Sequence, residues 1–145
     1  MDALLVLLAL AAGAGLPVQA AVNATMRSYI GRPEWAAVVN FGVGLVALLA
    51  WVAVLRLPPA LSRAATAPWW SWSGGVLGAF YVTAVVLLTP RLGVGATLAL
   101  LVAGQMGAAM AMDHFGVLGL AARHVSAGRI LGAALLVAGV VLIRR

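Results

Sequence analysis

Cysteine and lysine are both missing from this chain of 145 residues. Without thiols there is no disulfide, no thiolate nucleophile and no cysteine-ligated metal site. Acidic groups are nearly missing as well: Asp2, Glu34 and Asp113 are the only carboxylate side chains, and His114 and His124 the only imidazoles. So few groups, scattered along the chain, argue against a metal centre. No nucleophile–base pairing is visible, and Asp113-His114 lacks a third member. Neither an enzyme nor a cofactor is expected. All charged residues together make up 8% of the chain, where a soluble domain carries roughly 25%. The net charge of +6 comes from nine Arg spread among the connections between apolar runs. They form no stripe that could track a phosphate backbone, so nucleic acid is not an expected partner. They read instead as interfacial charges that anchor helix ends.

What is present is apolar. Hydrophobic residues are 65% of the chain and the mean hydropathy is +1.13, a composition suited to lipid and not to water. Charges divide the sequence into uncharged runs near the ~20 residues that a membrane-crossing helix needs. Five spans are expected, at residues 3–26, 34–55, 69–89, 92–112 and 126–143, forming one domain over 1–145. The fold class is therefore all-α, an integral membrane bundle of five transmembrane helices. No alternation of lipid-facing and lumen-facing residues suggests strands. The first run opens on acidic Met1-Asp2, has no basic residue before Arg27 and outruns a signal-peptide core, so it reads as a retained helix. Pro33 suits the first turn of the second span. The fifth span holds Arg129 in its first turn, where the side chain can snorkel to the interface, and Ser126 is its candidate N-cap.

Trp35, Trp51 and the group Trp69, Trp70 and Trp72 lie near expected helix ends, as in an aromatic belt; a stacking platform for a ligand is the sharper alternative. Glycine is abundant, with 17 residues. In lipid, small residues let helix backbones approach closely. Gly128 and Gly132 form a GxxxG pair with Gly139 seven residues on, and this face of the last helix is the favoured dimer contact. Five spans put the termini on opposite sides. Arg56, Arg63, Arg123 and Arg129 fall on one side, and Arg27, Arg32, Arg91, Arg144 and Arg145 on the other. Four against five is no positive-inside excess. Either a weaker signal orients the chain, or it inserts both ways and pairs as an antiparallel, dual-topology homodimer. Such a pair supplies from two copies what many transporters encode as inverted repeats.

Polar residues far from helix ends are the informative ones. Gln19 follows Pro17 in the first span, with Gly13 and Gly15 before it. Pro17 removes a backbone donor and frees the carbonyl near residue 13, so these three residues form a candidate hinge. Asn23 lies one turn beyond Gln19 on the same face. Gln105 sits near the middle of the fourth span. An amide left without partners in hydrocarbon costs several kcal/mol. Gln19, Asn23 and Gln105 therefore either bond across helices and hold the bundle together, or line a polar cavity and bind a substrate. Asn40 and Tyr81 belong to the same question. The first four spans carry no charge at mid-depth, where a proton–cation exchanger is expected to hold a carboxylate. The nearest groups are Asp113 and His114 at the end of the fourth span. They form either a proton-sensitive gate or an ordinary interfacial terminus.

In these residues the chain resembles the YdcZ-like proteins, a five-helix bacterial branch of the drug/metabolite transporter superfamily. The matching stretches run in order through Gly13 to Pro17, Gln19 and Asn23, then Gly31-Arg32-Pro33 and Asn40-Phe41-Gly42-Val43-Gly44. They continue through Gly74-Gly75, Gly78 and Tyr81 to Gly104-Gln105, Asp113-His114-Phe115-Gly116, and Arg129 with Gly132. The resemblance implies a bacterial inner-membrane protein that moves small molecules between inverted repeats. The smallest members of the superfamily act as antiparallel homodimers. Small multidrug exporters use a first-helix Glu, whereas Gln19 stands here, so a neutral, zwitterionic or weakly anionic solute is expected in place of a cation. The expected partners are thus a small-molecule substrate, membrane lipid and a second copy of the chain. The alternative is a non-transporting structural or regulatory subunit that binds lipid or a larger membrane protein.

Overall fold

In a computed structural model, the protein is described over residues 2–59, 61–119 and 121–143. Arg144 and Arg145, counted above, lie outside the described residues. The described chain is helical, without strands. It divides into two compact units, Met1–Pro90 and Arg91–Arg145.

The first unit contains α1 (Ala3–Ile30), α2 (Pro33–Val54), the short α3 (Leu61–Ala64), a 3-10 turn over Trp69–Ser73, and α4 (Gly74–Leu92), whose last two residues lie past the division. Asp2 caps α1, its carboxylate accepting from Leu4 N–H at 3.1 Å. The helix runs four residues past its expected end because the stop signal is Gly31 and not Arg27. Gly31 takes the left-handed conformation at φ 82° and donates to the Arg27 carbonyl, an arrangement glycine adopts without steric penalty. Pro33 opens α2 at its first turn, where a missing N–H is harmless. That turn and the gap before it make α1 and α2 a tight helical hairpin. Trp69, Trp70 and Trp72 lie on the 3-10 turn, with Trp69 84% exposed, as an interfacial anchor would be. The expected third span ended before Pro90, yet α4 continues through Pro90 to Leu92 and stops at Gly93, whose φ is 80°.

The core of this unit is built from small residues. Ala36 and Ala37 of α2 meet Val82 and Val86 of α4, with Met26 of α1 and Tyr81 packed against them. Ala36 and Val86 are completely buried. Further along, the Phe41 ring lies against Gly78, where a Cβ would stand 3.4 Å from Phe41 Cζ.

The second unit is a helical hairpin of α5 (Val94–Phe115) and α6 (Ala127–Ile143), joined through a short 3-10 turn at Val117–Gly119. α5 outruns its expected end in the same way as α1: Gly116 takes φ 60° and donates to the Met112 carbonyl. Ser126 caps α6 as expected, its hydroxyl accepting from Arg129 N–H at 3.4 Å. Among the described residues, four helical stretches are long and apolar enough to cross a membrane, and α6, with 17 described residues, is shorter.

If Gly31 ends α1 by its backbone conformation alone, Gly31→Ala should lower thermal stability in detergent by about 1 kcal/mol, the cost of a left-handed alanine. No atom stands within 4 Å of the added methyl, so crowding makes no contribution. Gly44→Ala, in open space within α2, is the control and should be neutral or slightly stabilising. Equal losses in both variants would show that conformation is not the cause.

Candidate functional site

Three amides gather on the α1–α2 hairpin. Gln19 and Asn23 lie one turn apart on α1, and Asn40 faces them from α2. Gln19 Nε2 donates to Asn40 Oδ1 at 3.2 Å, so these two side chains tie the helices together and satisfy part of each other's demand. Asn23 differs. It is 95% buried by its 5% relative exposure, and its amide has no hydrogen-bond partner among the described residues. All three line an open recess of about 590 Å³. Its other walls are apolar, including Val22, Met26, Val39, Phe41 and Leu48, and no charged residue lines it. Such a volume falls in the range of small-molecule pockets, where a few placed polar groups fix orientation.

The remaining candidates stand as follows. Tyr81 is half-buried against the alanine–valine core of the first unit. Gln105 lies on α5 in the second unit, exposed and without a hydrogen bond among the described residues. Pro17 is contained within an unbroken α1. Gly13 and Gly15 before it have open space where a Cβ would stand, as do Gly128, Gly132 and Gly139 of α6. Among the described residues, none of these five serves close helix packing within its own unit.

In the second unit, Asp113 and His114 turn to different partners. Asp113 Oδ2 accepts from Arg129 Nη2 at 2.9 Å, and both side chains are a little over one-third exposed. His114 Nδ1 accepts from Val125 N–H at 3.4 Å, and its ring lies edge-on to His124 at a centroid distance of 5.6 Å. The ion pair borders a second recess, of about 320 Å³, with Met106, Met110 and Gly132 among its walls. The Arg129 Nη1 atom is enclosed and has no partner among the described residues.

Two contacts escaped the reading of the sequence. Arg129 looked like a snorkelling interfacial cation, yet it pairs with Asp113 across the α5–α6 hairpin. A carboxylate ending one helix and a guanidinium opening the next was the available signal. Arg27 looked like a helix-end anchor, yet its Nη1 donates to the Val86 and Leu87 carbonyls of α4 at 3.2 and 3.4 Å. The signal there was Pro90, which cannot donate to the carbonyl four residues earlier.

Known proteins give these arrangements a context. A family model described as "putative inner membrane exporter, YdcZ" matches residues 4–142. No curated protein matches the chain, and no solved structure does. The match covers every helix described above, from the capped start of α1 to the last turn of α6. With four or five apolar helices fit to span a bilayer and few charges within them, the chain is a multi-pass inner-membrane protein and belongs to the YdcZ family of exporters.

Proposed function

We propose that the protein exports a small polar solute, neutral, zwitterionic or weakly anionic, along a path that passes the amide recess of the first unit. The observation that carries this reading is Asn23. The residue is buried and lines a cavity, and its amide makes no hydrogen bond among the described residues. In hydrocarbon an unpaired amide costs several kcal/mol, which a purely structural amide would avoid by pairing, as Gln19 and Asn40 do. A bound solute supplies the missing partner. The neutral lining offers a cation no counter-charge. Amides present both donors and acceptors, which suits a solute with both. Asn23, Gln19 and Asn40 are the proposed ligands there, with Tyr81 as a further contributor, and Gln105 is proposed as a solute contact within the second unit. Pro17, Gly13 and Gly15 would let α1 bend, and Asp113 with His114 is the candidate proton-sensitive element.

We further propose that two copies pair antiparallel and that access alternates as one rocks against the other. Three observations support pairing. The recess is open on one side, the flanking Arg are nearly balanced in the sequence, and Gly128, Gly132 and Gly139 leave a bare face on α6.

The first test is solute flux in proteoliposomes, screened with amino-acid-like and other small polar compounds. Asn23→Leu should cut flux at least tenfold, about 1.4 kcal/mol or more, while thermal stability holds or rises because an unpaired amide has been removed. If no solute moves with the wild type and Asn23→Leu only unfolds earlier, the amide is structural and the reading fails. The second test places reporters at the C-terminus. Dual insertion predicts signal from both sides of the membrane; a signal confined to one side would remove the antiparallel pair.

A further inference from the structure

The C-terminal part of α4 is a helix end with unmet hydrogen bonds. Pro90 has no N–H, so the Val86 carbonyl loses its helical donor. Val86 is completely buried, so solvent does not reach that carbonyl in its place. Thr89, beside the proline, is also buried and its hydroxyl has no partner among the described residues. The donor comes from another helix. Arg27 Nη1 reaches the Val86 carbonyl at 3.2 Å and the Leu87 carbonyl at 3.4 Å. Arg27 lies in the last turn of α1, and the two carbonyls lie near the end of α4. A single guanidinium thus stands at the negative ends of two helix dipoles.

The same stretch of α1 also builds the solute recess. Asn23 is one turn before Arg27 and carries the unpaired amide. Met26, the residue next to Arg27, lines the recess and packs against the core that includes Val82 and Val86 of α4. Ala36 is shared in the same way. Whatever holds Arg27 to α4 therefore holds Met26 between the recess and α4.

We propose that Arg27 and the carbonyl freed by Pro90 form a latch that keeps α1 against α4 and closes the recess at this end. Its release is the step that opens the recess there. This rests on the exporter reading for its purpose, though not for its existence. The chemistry suits a reversible contact. Both acceptors are neutral carbonyls and both bonds are longer than the usual charge-assisted distance, so separation breaks no ion pair. A freed Arg27 near the end of α1 can extend its head to the interface, and the proline gives α4 a place to bend.

The chain contains no cysteine, so a single introduced thiol reports without background. We would place Met26→Cys in the full-length protein in nanodiscs and measure its rate of modification by N-ethylmaleimide with no solute present. Arg27→Gln should raise that rate about tenfold, the loss of one charge-assisted hydrogen bond. Pro90→Ala, which returns an N–H to the Val86 carbonyl, should raise it severalfold. Because both changes weaken one contact, the double variant should label no faster than Arg27→Gln alone. Unchanged rates in both variants, or effects that multiply, would overturn the latch. Should Arg27→Gln fail to fold, Pro90→Ala, which only adds a helical hydrogen bond, carries the test by itself. An unchanged rate there is decisive against the proposal. The labelling needs no transported solute, so failure of the latch and failure of the Asn23 assignment give different results.

Discussion

A polar group surrounded by hydrocarbon has to find its partner inside the protein, because lipid tails offer none. Backbone groups meet this demand through helix formation, which is why an apolar chain with so few charges folds into helices. Where the demand is not met within one helix, the first unit shows the consequences in turn. The Val86 carbonyl, orphaned by Pro90, draws Arg27 across from α1. Gln19 and Asn40 answer each other across the α1–α2 hairpin. Asn23 is a buried residue whose amide makes no hydrogen bond among the described residues, and it borders a cavity. The contrast between the two amides of one helix, one paired and one not, is what supports proposing Asn23 as a binding group.

Much of the fold was legible because the bilayer imposes a length. Uncharged runs of about 20 residues mark the helices, and the runs found here start within a few residues of the helices observed, except α4, which is preceded by the 3-10 turn of the three Trp. The C-terminal ends were misplaced for a physical reason. A charge ends an apolar run but does not end a helix, and α1 passes Arg27 as α5 passes Asp113. Each stops where a glycine can take a left-handed conformation, at Gly31 and Gly116. Pro90 likewise looked like a terminus. Near a helix end it removes only one bond, so α4 carries on to Leu92.

The candidate site was legible in its parts and not in its pairings. Gln19 and Asn23 share a face by their spacing of four, which is a local property. That Asn40 is the residue facing Gln19 depends on how two helices pack, and helical periodicity in nearly uniform apolar sequence says little about that. Asp113 and Arg129 are 16 residues apart on helices that meet only after the chain turns back. Each seemed sufficient alone as an interfacial charge. Arg27 was harder still, since its partners are backbone carbonyls that any sequence could supply. Only the proline four residues beyond Val86 distinguished that carbonyl from its neighbours.

The length of α6 carries a consequence of its own. Its 17 described residues span roughly 26 Å, a few ångströms less than the ~30 Å hydrocarbon core of an ordinary bilayer, and Arg129 takes up part of its first turn. Lipid beside a span of that length can thin, or another helix can lie against it and keep lipid away. The first response costs a fraction of a kcal/mol per ångström of mismatch, and the bare glycine face makes the second sterically easy. Acyl-chain length is thereby a variable to which this protein is coupled, with thicker membranes favouring whatever assembly covers α6.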